Sequence, residues 1–275
     1  MCITFIYQNP EPSPGYYRFI LAMNRDEFFK RETEEAKWIN GVICGRDMTP
    51  GKEGGTWLGM SKAGKIGMLT NVSTGKPEVD GKGRGFLIHD FLNSNLSAEK
   101  YIKILEDDTS SYNPFNICLF DLSQSKGYYY CRGKEGHVTK SEGPNKIDEN
   151  FFGLSNHPLS KPFQKTISGL ESFKSIVMKN KDTKDLMLLK QRLIDVVTNK
   201  TRFLNDPQMK IQYGSHSIPE SVSSVFVDIP GIYGTRVQTF IFVDFNFNVE
   251  FHERILIPKK NLWKEHQFKF TIPSG

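Results

Sequence analysis

Short apolar segments near both ends of the chain constrain its fold more than any other sequence feature. Segments rich in Phe, Tyr, Ile and Val, typical of strands, occupy residues 2–8, 16–23, 56–60, 65–71, 115–121, 127–132, 222–229, 235–244 and 247–257. Helical spacing is found at residues 29–38, 86–92, 98–105 and 182–200. Because each element must bury its apolar face against another layer, this order predicts an α+β fold with helices covering β-sheets.

Local turn and capping signals support these assignments. Lys62-Ala63-Gly64 predicts a hairpin turn, and Phe245-Asn246-Phe247-Asn248 predicts a second one. Ser97 is the expected cap of the helix over 98–105, and Asp182 or Thr183 is expected to cap the helix over 182–200. The chain has no Ser-, Gly- or Pro-rich linker of useful length and no fixed-period repeat, which favours a single domain over residues 1–275.

Composition excludes several classes of protein. With 38% hydrophobic and 24% charged residues, the chain is typical of a soluble globular protein. No apolar run approaches the roughly 18 residues that a membrane span requires. The 36 basic residues are dispersed among 31 acidic ones, and the net charge of +5 indicates no nucleic-acid partner. Attraction to an anionic ligand, or transient contact with a membrane surface, stays open.

The cysteines indicate a reducing compartment and one candidate nucleophile. Four cysteines without a CxxC pair or a signal peptide predict free thiols in a cytoplasmic protein. Cys2 is the most informative of them, because removal of Met1 would leave a thiol nucleophile beside its own α-amino base. The alternative is that Cys2 is a small buried side chain in a strand. Retention of Met1 would block the amine and prevent this chemistry.

Four polar residues, Asn24, Arg25, Asp26 and Glu27, follow the apolar segment that ends at Met23. If a strand stops there, the arginine can bind a carboxylate or lower a thiol pKa, and the acids can orient an amine. Alternatively, Asn24 caps a helix and the two acids face the positive end of its dipole. The tetrapeptide alone does not separate these interpretations.

Three more side chains stand at the ends of predicted strands. Asn71 and Asn156 each place an amide just beyond such an end, where it can donate to an oxyanion or simply form a turn. Arg236 opens the strand over 235–244, where it can bind an anionic group or form a surface ion pair.

Metal and cofactor signatures are missing from the sequence. The six histidines form no HExxH pattern and no pairing with cysteines, so no metal site is predicted and no cofactor is required. Neither a CxxCH nor a Cys-Pro pair is present, which leaves His89, His157 or a methionine as isolated candidates for a haem ligand.

Six motifs in order along the chain carry a family resemblance. They are Met1-Cys2, Asn24-Arg25-Asp26-Glu27-Phe28, Glu53-Gly54-Gly55-Thr56-Trp57-Leu58-Gly59, Leu69-Thr70-Asn71, Gly153-Leu154-Ser155-Asn156 and Tyr233-Gly234-Thr235-Arg236. Together they resemble the Transport and Golgi organisation protein 2 family, also called the NRDE family. The resemblance covers essentially the whole chain.

The resemblance implies a four-layer αββα sandwich similar to N-terminal-nucleophile hydrolases, in a cytoplasmic or mitochondria-associated protein. Family members are linked to haem trafficking, to acyl-CoA and lipid homeostasis, and to Golgi organisation. It therefore implies a haem chaperone, with haem as cargo and the polar side chains Asn24, Arg25, Glu27 and Arg236 as ligand-binding residues.

By position, the resemblance also implies a second function, a cysteine amidohydrolase. Cys2 is similar to the nucleophile of such enzymes, and Arg25, Asp26 and Glu27 are similar to the polar cluster that orients it. The resemblance implies that Asn71 and Asn156 donate to the oxyanion and that Arg236 is the strand-end arginine. The hydrolases carry an Arg-Asn-x-Asp order after that strand, whereas this chain has Asn-Arg-Asp-Glu.

Overall fold

The computed structural model describes residues 2–72, 83–108, 112–133, 140–180, 182–213, 220–257 and 262–273. These residues form two compact units. The first lies within Met1–Lys30, Glu149–Ser155 and Ser160–Ile272, and the second within Arg31–Asp148, Asn156–Leu159 and Pro273–Gly275. The single-domain organisation expected from the sequence stays a prediction.

Strands dominate the described residues. In chain order they are β1 (Ile3–Gln8), β2 (Tyr17–Phe28), β3 (Thr33–Ile39), β4 (Val42–Asp47), β5 (Leu58–Ser61), β6 (Lys65–Asn71), β7 (Phe115–Asp121), β8 (Lys126–Arg132), β9 (Glu142–Lys146), β10 (Phe151–Leu154), β11 (Asp228–Ile229), β12 (Tyr233–Asp244), β13 (Asn248–Ile257) and β14 (Leu262–Thr271). The helices are α1 (Gly85–Asn93), α2 (Ala98–Asp107), α3 (Gln164–Asn180), α4 (Leu186–Val197) and α5 (Pro207–Tyr213), and a 3₁₀ helix spans Glu220–Ser223.

The first unit is one antiparallel sheet covered by helices. Its strand order is β10-β1-β2-β12-β13-β14, with β11 paired to β12. Helices α3 and α4 bury one face of this sheet, where Phe173 and Leu193 pack in the same core as Phe5 and Phe240. The close approach of α3 requires Gly169, because a Cβ at that position would overlap the Phe5 ring.

The second unit repeats this two-layer construction with different elements. Its sheet has the order β3-β4-β5-β6-β7-β8-β9, and neighbouring strands are antiparallel. Helices α1 and α2 contribute Phe91 and Ile102 to a core that also contains Ile117 and Tyr130 of the sheet. Both units therefore confirm the predicted α+β class, in which helices cover β-sheets.

One predicted helix is wrong. Residues 29–38 were expected to be helical, but β3 occupies most of this range and pairs with β4. The two strands are joined by Asn40 and Gly41, whose φ angles are 51° and 78°. Asn-Gly with positive φ at both positions is the strongest short-range signal for a tight hairpin, and it outweighs the helical spacing here.

The predicted strand over 222–229 is also largely wrong. This range contains the end of the 3₁₀ helix and the two-residue β11. Three of its backbone carbonyls accept from side chains and not from a neighbouring strand: Lys165 Nζ donates to Val222 and Ser224, and Asn24 Nδ2 donates to Val225. Side chains have therefore taken the hydrogen bonds that a strand would have used.

Several local predictions are confirmed. Gly64 turns with a φ of 87° between β5 and β6, and Phe247 turns with a φ of 62° between β12 and β13. The Ser97 hydroxyl accepts from the Lys100 amide at the start of α2.

The predicted cap of α4 is wrong. The cap is Asp185 and not Asp182 or Thr183, since Asp185 accepts from the Leu188 amide at 2.9 Å, and the helix therefore begins later than predicted.

Candidate functional site

The tetrapeptide Asn24–Glu27 lies inside β2, not beyond a strand end and not at a helix start. The strand continues because β12 pairs with it, with Gly234 opposite Glu27 and Thr235 opposite Asp26. Alternate side chains of a strand point to opposite faces. Asn24 and Asp26 therefore project to the face covered by helices, and Arg25 and Glu27 project to the other face.

Asn24 is fully buried and ties β2 to the helical layer. Its Nδ2 donates to the carbonyl oxygens of Val197 at 2.7 Å and Val225 at 3.0 Å. Its Oδ1 accepts from Gln238 Nε2 at 3.2 Å. In this structure Asn24 holds together α4, β2 and β12, and its predicted role in ligand binding stays a prediction.

Asp26 is a buried carboxylate that is hydrogen-bonded to β12. Thr235 Oγ1 donates to its Oδ1 at 2.7 Å, and Tyr233 donates to its backbone carbonyl at 3.1 Å. Burial raises the pKa of Asp26, whereas the charge of Lys165 and the Thr235 hydrogen bond act to lower it. A buried, partly compensated carboxylate is a group whose protonation responds strongly to its surroundings.

Cys2 is a free cysteine that immediately precedes β1, and the residue as a whole is partly exposed. Burial raises the pKa of the thiol, and the negative charge of Asp26 raises it further. The α-amino group of the chain, the Asp26 backbone amide and the Arg25 guanidinium each lower this pKa. Cys2, Arg25 and Asp26 therefore act on one another electrostatically, and their role as catalytic residues stays a prediction. Met1 lies outside the described residues.

Arg25 and Glu27 form a second part of the cluster on the other face of the sheet. The Arg25 side chain is 5% exposed, and its Nη2 lies 4.0 Å from Glu27 Oε2. Glu27 also accepts from the Phe28 amide at 2.9 Å. Their separation by two positions places both side chains on one face, which allows this ion pair.

Arg236 occupies a β-bulge between β12 and β2. Thr235 pairs with Asp26 and Val237 pairs with Arg25, so Arg236 is the extra residue of the bulge. Bulges redirect a side chain, and Arg236 Nη1 donates to the Phe28 carbonyl at 2.8 Å. Burial lowers the pKa of Arg236, and the charge of Glu27 raises it.

Asn71 and Asn156 come together in the second unit. Asn156 is buried, and its Nδ2 donates to the backbone carbonyl of Asn71 at 2.6 Å, whereas the Asn71 side chain is exposed. Their proximity was expected from the resemblance. Their role as oxyanion donors stays a prediction.

A neutral network that sequence reasoning missed holds this pair in place. Asn116 is fully buried and donates through Nδ2 to Thr70 Oγ1 at 3.2 Å and to the His157 carbonyl at 3.0 Å. Tyr129 donates to Asn116 Oδ1 at 3.0 Å and accepts from the Leu159 amide at 2.9 Å. The residues flanking Asn71 and Asn156 are thus fixed to β7 and β8. No sequence signal marks this network.

Lys165 is the second group that sequence reasoning missed. It lies in the first turn of α3, and its side chain has no exposed surface. A lysine among polar residues at a helix start is normally read as solvated, so no local signal indicates its burial.

The Gly54–Trp57 motif has a structural explanation. Gly54 has a φ of 89°, which favours glycine, and a Cβ on Gly85 would lie 2.9 Å from the Gly55 α-carbon. Thr56 donates through Oγ1 to the Gly45 carbonyl at 2.7 Å. The motif therefore lets the start of α1 approach β5 within the second unit.

Other predicted features have no assigned role. His157 is buried in the second unit, and His89 lies exposed on α1 beside Asp90. Within the described part of the chain, no group of three or more His, Cys, Asp or Glu could hold a metal ion. No helix among the same residues is long and apolar enough to span a membrane.

Comparison with solved structures defines the class of fold. A C2A mutant of conjugated bile acid hydrolase from Clostridium perfringens superposes with a TM-score of 0.52 at 13% identity, over 99% of this chain and 98% of that one. An N-acylethanolamine-hydrolyzing acid amidase orthologue from Caenorhabditis elegans gives a TM-score of 0.51 at 12% identity, over 87% and 92%. The chain therefore has the fold of N-terminal-nucleophile hydrolases, as predicted.

Sequence comparison defines the family. The family model for Transport and Golgi organisation 2 matches residues 1–258. The mouse and human Transport and Golgi organization 2 homologues are 38% and 36% identical, over the full length of both chains in each case. The Drosophila melanogaster protein is 30% identical over 93% of this chain and 92% of its own. The chain belongs to the Transport and Golgi organisation 2 family.

Proposed function

We propose that this protein binds and transfers an apolar anionic small molecule, with haem as the expected cargo. The observation that carries the proposal is an amphiphilic rim in the first unit, where exposed apolar side chains adjoin a partly buried arginine. Haem offers complementary chemistry, because it has a flat apolar face and two carboxylates.

The apolar part of the rim consists of Phe28 and Ile232. Phe28 is 56% exposed and Ile232 is 57% exposed, although both are large apolar residues. They are neighbours, since the Phe29 amide donates to the Ile232 carbonyl at 3.0 Å and the Phe28 ring lies 5.1 Å from the Tyr233 ring. A cluster of exposed apolar side chains beside polar groups is typical of a binding surface.

The charged part of the rim is Arg236. Its Nη1 is held by the Phe28 carbonyl, which fixes the guanidinium next to the apolar side chains. A guanidinium in a partly desolvated position binds a carboxylate with two parallel hydrogen bonds. The negative charge of the nearby Glu27 repels a bound anion only weakly, because Arg25 Nη2 lies 4.0 Å from Glu27 Oε2 and offsets part of that charge.

Haem titration of the purified full-length chain tests the proposal. We expect a shift of the Soret band with the wild type, and a loss of affinity of about tenfold in Arg236→Ala, because one charge-assisted contact is removed. Phe28→Ser and Arg25→Ala are expected to weaken binding as well. Arg202→Ala is the matched control, since this exposed arginine of the same unit is paired with Glu220.

Two results would contradict the proposal. An unchanged Soret band with the wild-type protein excludes direct haem binding. Equal affinities for the wild type and Arg236→Ala exclude the rim as the binding surface, whatever the affinity of the protein as a whole.

A cysteine amidohydrolase is the second candidate, and the position of Cys2 favours it. The thiol accepts from the Asp26 backbone amide and lies near Arg25, an arrangement that can hold a nucleophile in place. The two solved hydrolases described above share the fold, although fold alone does not confer activity. In this reaction the Cys2 thiol would attack an amide carbonyl, and its α-amino group, freed from Met1, would carry the thiol proton to the leaving amine. Water would then hydrolyse the resulting thioester, which releases the acid and restores the thiol.

Intact mass and an activity-based probe separate the two candidates. Removal of Met1 together with labelling of Cys2 by an electrophilic amide is expected of the hydrolase, with Cys2→Ala as the control. Retention of Met1 and no labelling would exclude it, because the nitrogen of Cys2 then lies in a peptide bond and cannot act as the base.

A further inference from the structure

Lys165 is completely buried, so water does not solvate its ammonium group. Its Nζ donates to the carbonyl oxygens of Val222 at 2.8 Å and Ser224 at 3.1 Å. These neutral acceptors solvate an ammonium only in part, and an uncompensated buried charge costs several kcal/mol. A buried lysine is therefore expected to have an anionic partner nearby.

A chain of hydrogen bonds leads from Lys165 to Asp26. The two carbonyls that Lys165 binds lie near the start of a segment over residues 222–227, and Val227 is the last residue of this segment. The Val227 amide binds Thr235 Oγ1 at 3.0 Å, and its carbonyl accepts from the Thr235 amide at 2.8 Å. Thr235 Oγ1 in turn donates to Asp26 at 2.7 Å. Lys165 thus fixes the backbone that positions the hydrogen-bond donor of Asp26.

Charges around Lys165 act against the effect of its burial. The pKa of Lys165 is lowered to about 8, chiefly by burial, and Asp26, then Cys2, then Asp206 act to raise it. The pKa of Asp26, which burial raises, is in turn lowered by the α-amino group of the chain, by Lys165 and by the Thr235 hydrogen bond, and is raised further by Glu27. Asp206 already accepts from the backbone amides of Gln164 and Gln208, at the starts of α3 and α5. Among the acids, Asp26 thus has the largest effect on the pKa of Lys165.

We propose that Lys165 is a positioning residue of the candidate site: its buried ammonium anchors the 222–227 segment behind Thr235 and favours the anionic form of Asp26 beside Cys2. The inference goes beyond the proposed function and does not depend on it, because it concerns the state of the site before any ligand binds.

Titration of Asp26 by carboxyl ¹³C NMR tests the inference, with the resonance assigned by Asp26→Asn. In Lys165→Met the apparent pKa of Asp26 is expected to rise by about one unit or more, because the positive charge that favours its anion is gone. Lys190→Met is the matched control. Lys190 is also buried, in α4 of the same unit, but its Nζ pairs with Glu265 at 3.1 Å. It should leave the titration of Asp26 unchanged.

A reciprocal measurement keeps the inference testable if Lys165→Met does not fold. In Asp26→Asn, ¹³C NMR of labelled lysine is expected to show Lys165 losing its proton at a lower pH than in the wild type, because the interaction acts equally on both partners. An unchanged Asp26 titration in a folded Lys165→Met protein, or an unchanged Lys165 titration in Asp26→Asn, would overturn the proposal. Neither result bears on haem binding, so the two proposals fail separately.

Discussion

Each of the two units contains a buried polar cluster, and the two clusters differ in charge. In the first, the ionisable residues Asp26, Arg25 and Lys165 are all buried. In the second, the buried network around Asn116 and Tyr129 is neutral, and its hydrogen bonds run between an amide, hydroxyls and backbone groups. Burial of a neutral polar group costs little free energy once the group is hydrogen-bonded, whereas burial of a charged group costs much more.

This difference separates a scaffold from a candidate site. A neutral, satisfied network stabilises one conformation and is insensitive to pH. A buried charged cluster is costly, and such clusters with perturbed pKa values concentrate at functional sites. Asp26 and Lys165 are thus the better candidates for function, and Asn116 is the better candidate for stability.

The largest expected effect comes from breaking the neutral network. Asn116→Leu would leave the Thr70 hydroxyl, the His157 carbonyl and the Tyr129 hydroxyl without their buried partner. We expect the free energy of unfolding to fall by about 3 kcal/mol, measured by urea denaturation. The loss should be the same between pH 5 and pH 8, because no group in the network titrates there. A loss that varied strongly with pH would show that the network around Asn116 contains a titrating group and is not neutral.

The next effect depends on pH and belongs to the charged cluster. Burial raises the pKa of Asp26, so the folded protein binds that proton more tightly than the unfolded chain does. Ionisation of Asp26 therefore lowers the free energy of unfolding as pH rises from about 4 through the raised pKa. Asp26→Asn cannot ionise. We expect the variant to become more stable relative to the wild type as pH increases across this range, measured by thermal melts.

Asp47→Asn in the second unit gives the control with the opposite sign. Burial acts to raise the pKa of Asp47, but hydrogen bonds from Arg31 and Thr49 bring it below its usual value. Its stabilising contribution is present above about pH 4 and is lost as pH falls through the lowered pKa. If both variants showed the same dependence on pH, the assignment of Asp26 as a destabilising buried acid would be wrong.

The smallest effect distinguishes the two asparagines of the second unit. The Asn71 side chain is exposed and only its backbone carbonyl is used, whereas the Asn156 side chain is buried and donates to that carbonyl. Asn71→Ala should change the free energy of unfolding by less than about 0.5 kcal/mol, and Asn156→Ala should lower it by about 1 kcal/mol. A large loss in Asn71→Ala would show that its side chain supports the fold.

Local sequence signals predicted much of the fold. Ser97, Gly64 and Phe247 stand where the sequence indicated a cap and two turns, because each acts on neighbours within a few positions. The helix predicted over 29–38 failed although Asn40-Gly41 was a local signal for a hairpin. β14 was not predicted, since its exposed Lys264 and Lys269 interrupt the apolar pattern of a strand that is held by pairing with β13.

The candidate site could be predicted only in part. Cys2, Arg25, Asp26 and Arg236 were named from the sequence, and the structure gathers them in one unit. Lys165 and Asn116 were not named, because nothing near them along the chain distinguishes a buried lysine or asparagine from a solvated one.

The sequence by itself determined where strands and turns begin and which polar residues interrupt apolar segments, because those properties depend on neighbours in the chain. The tertiary structure alone decided that β2 continues through Asn24–Glu27 and that an ammonium and a carboxylate are buried in the same cluster. The free energy of a buried charge depends on the groups that enclose it, and for Lys165 these come from positions as far away as 26 and 224.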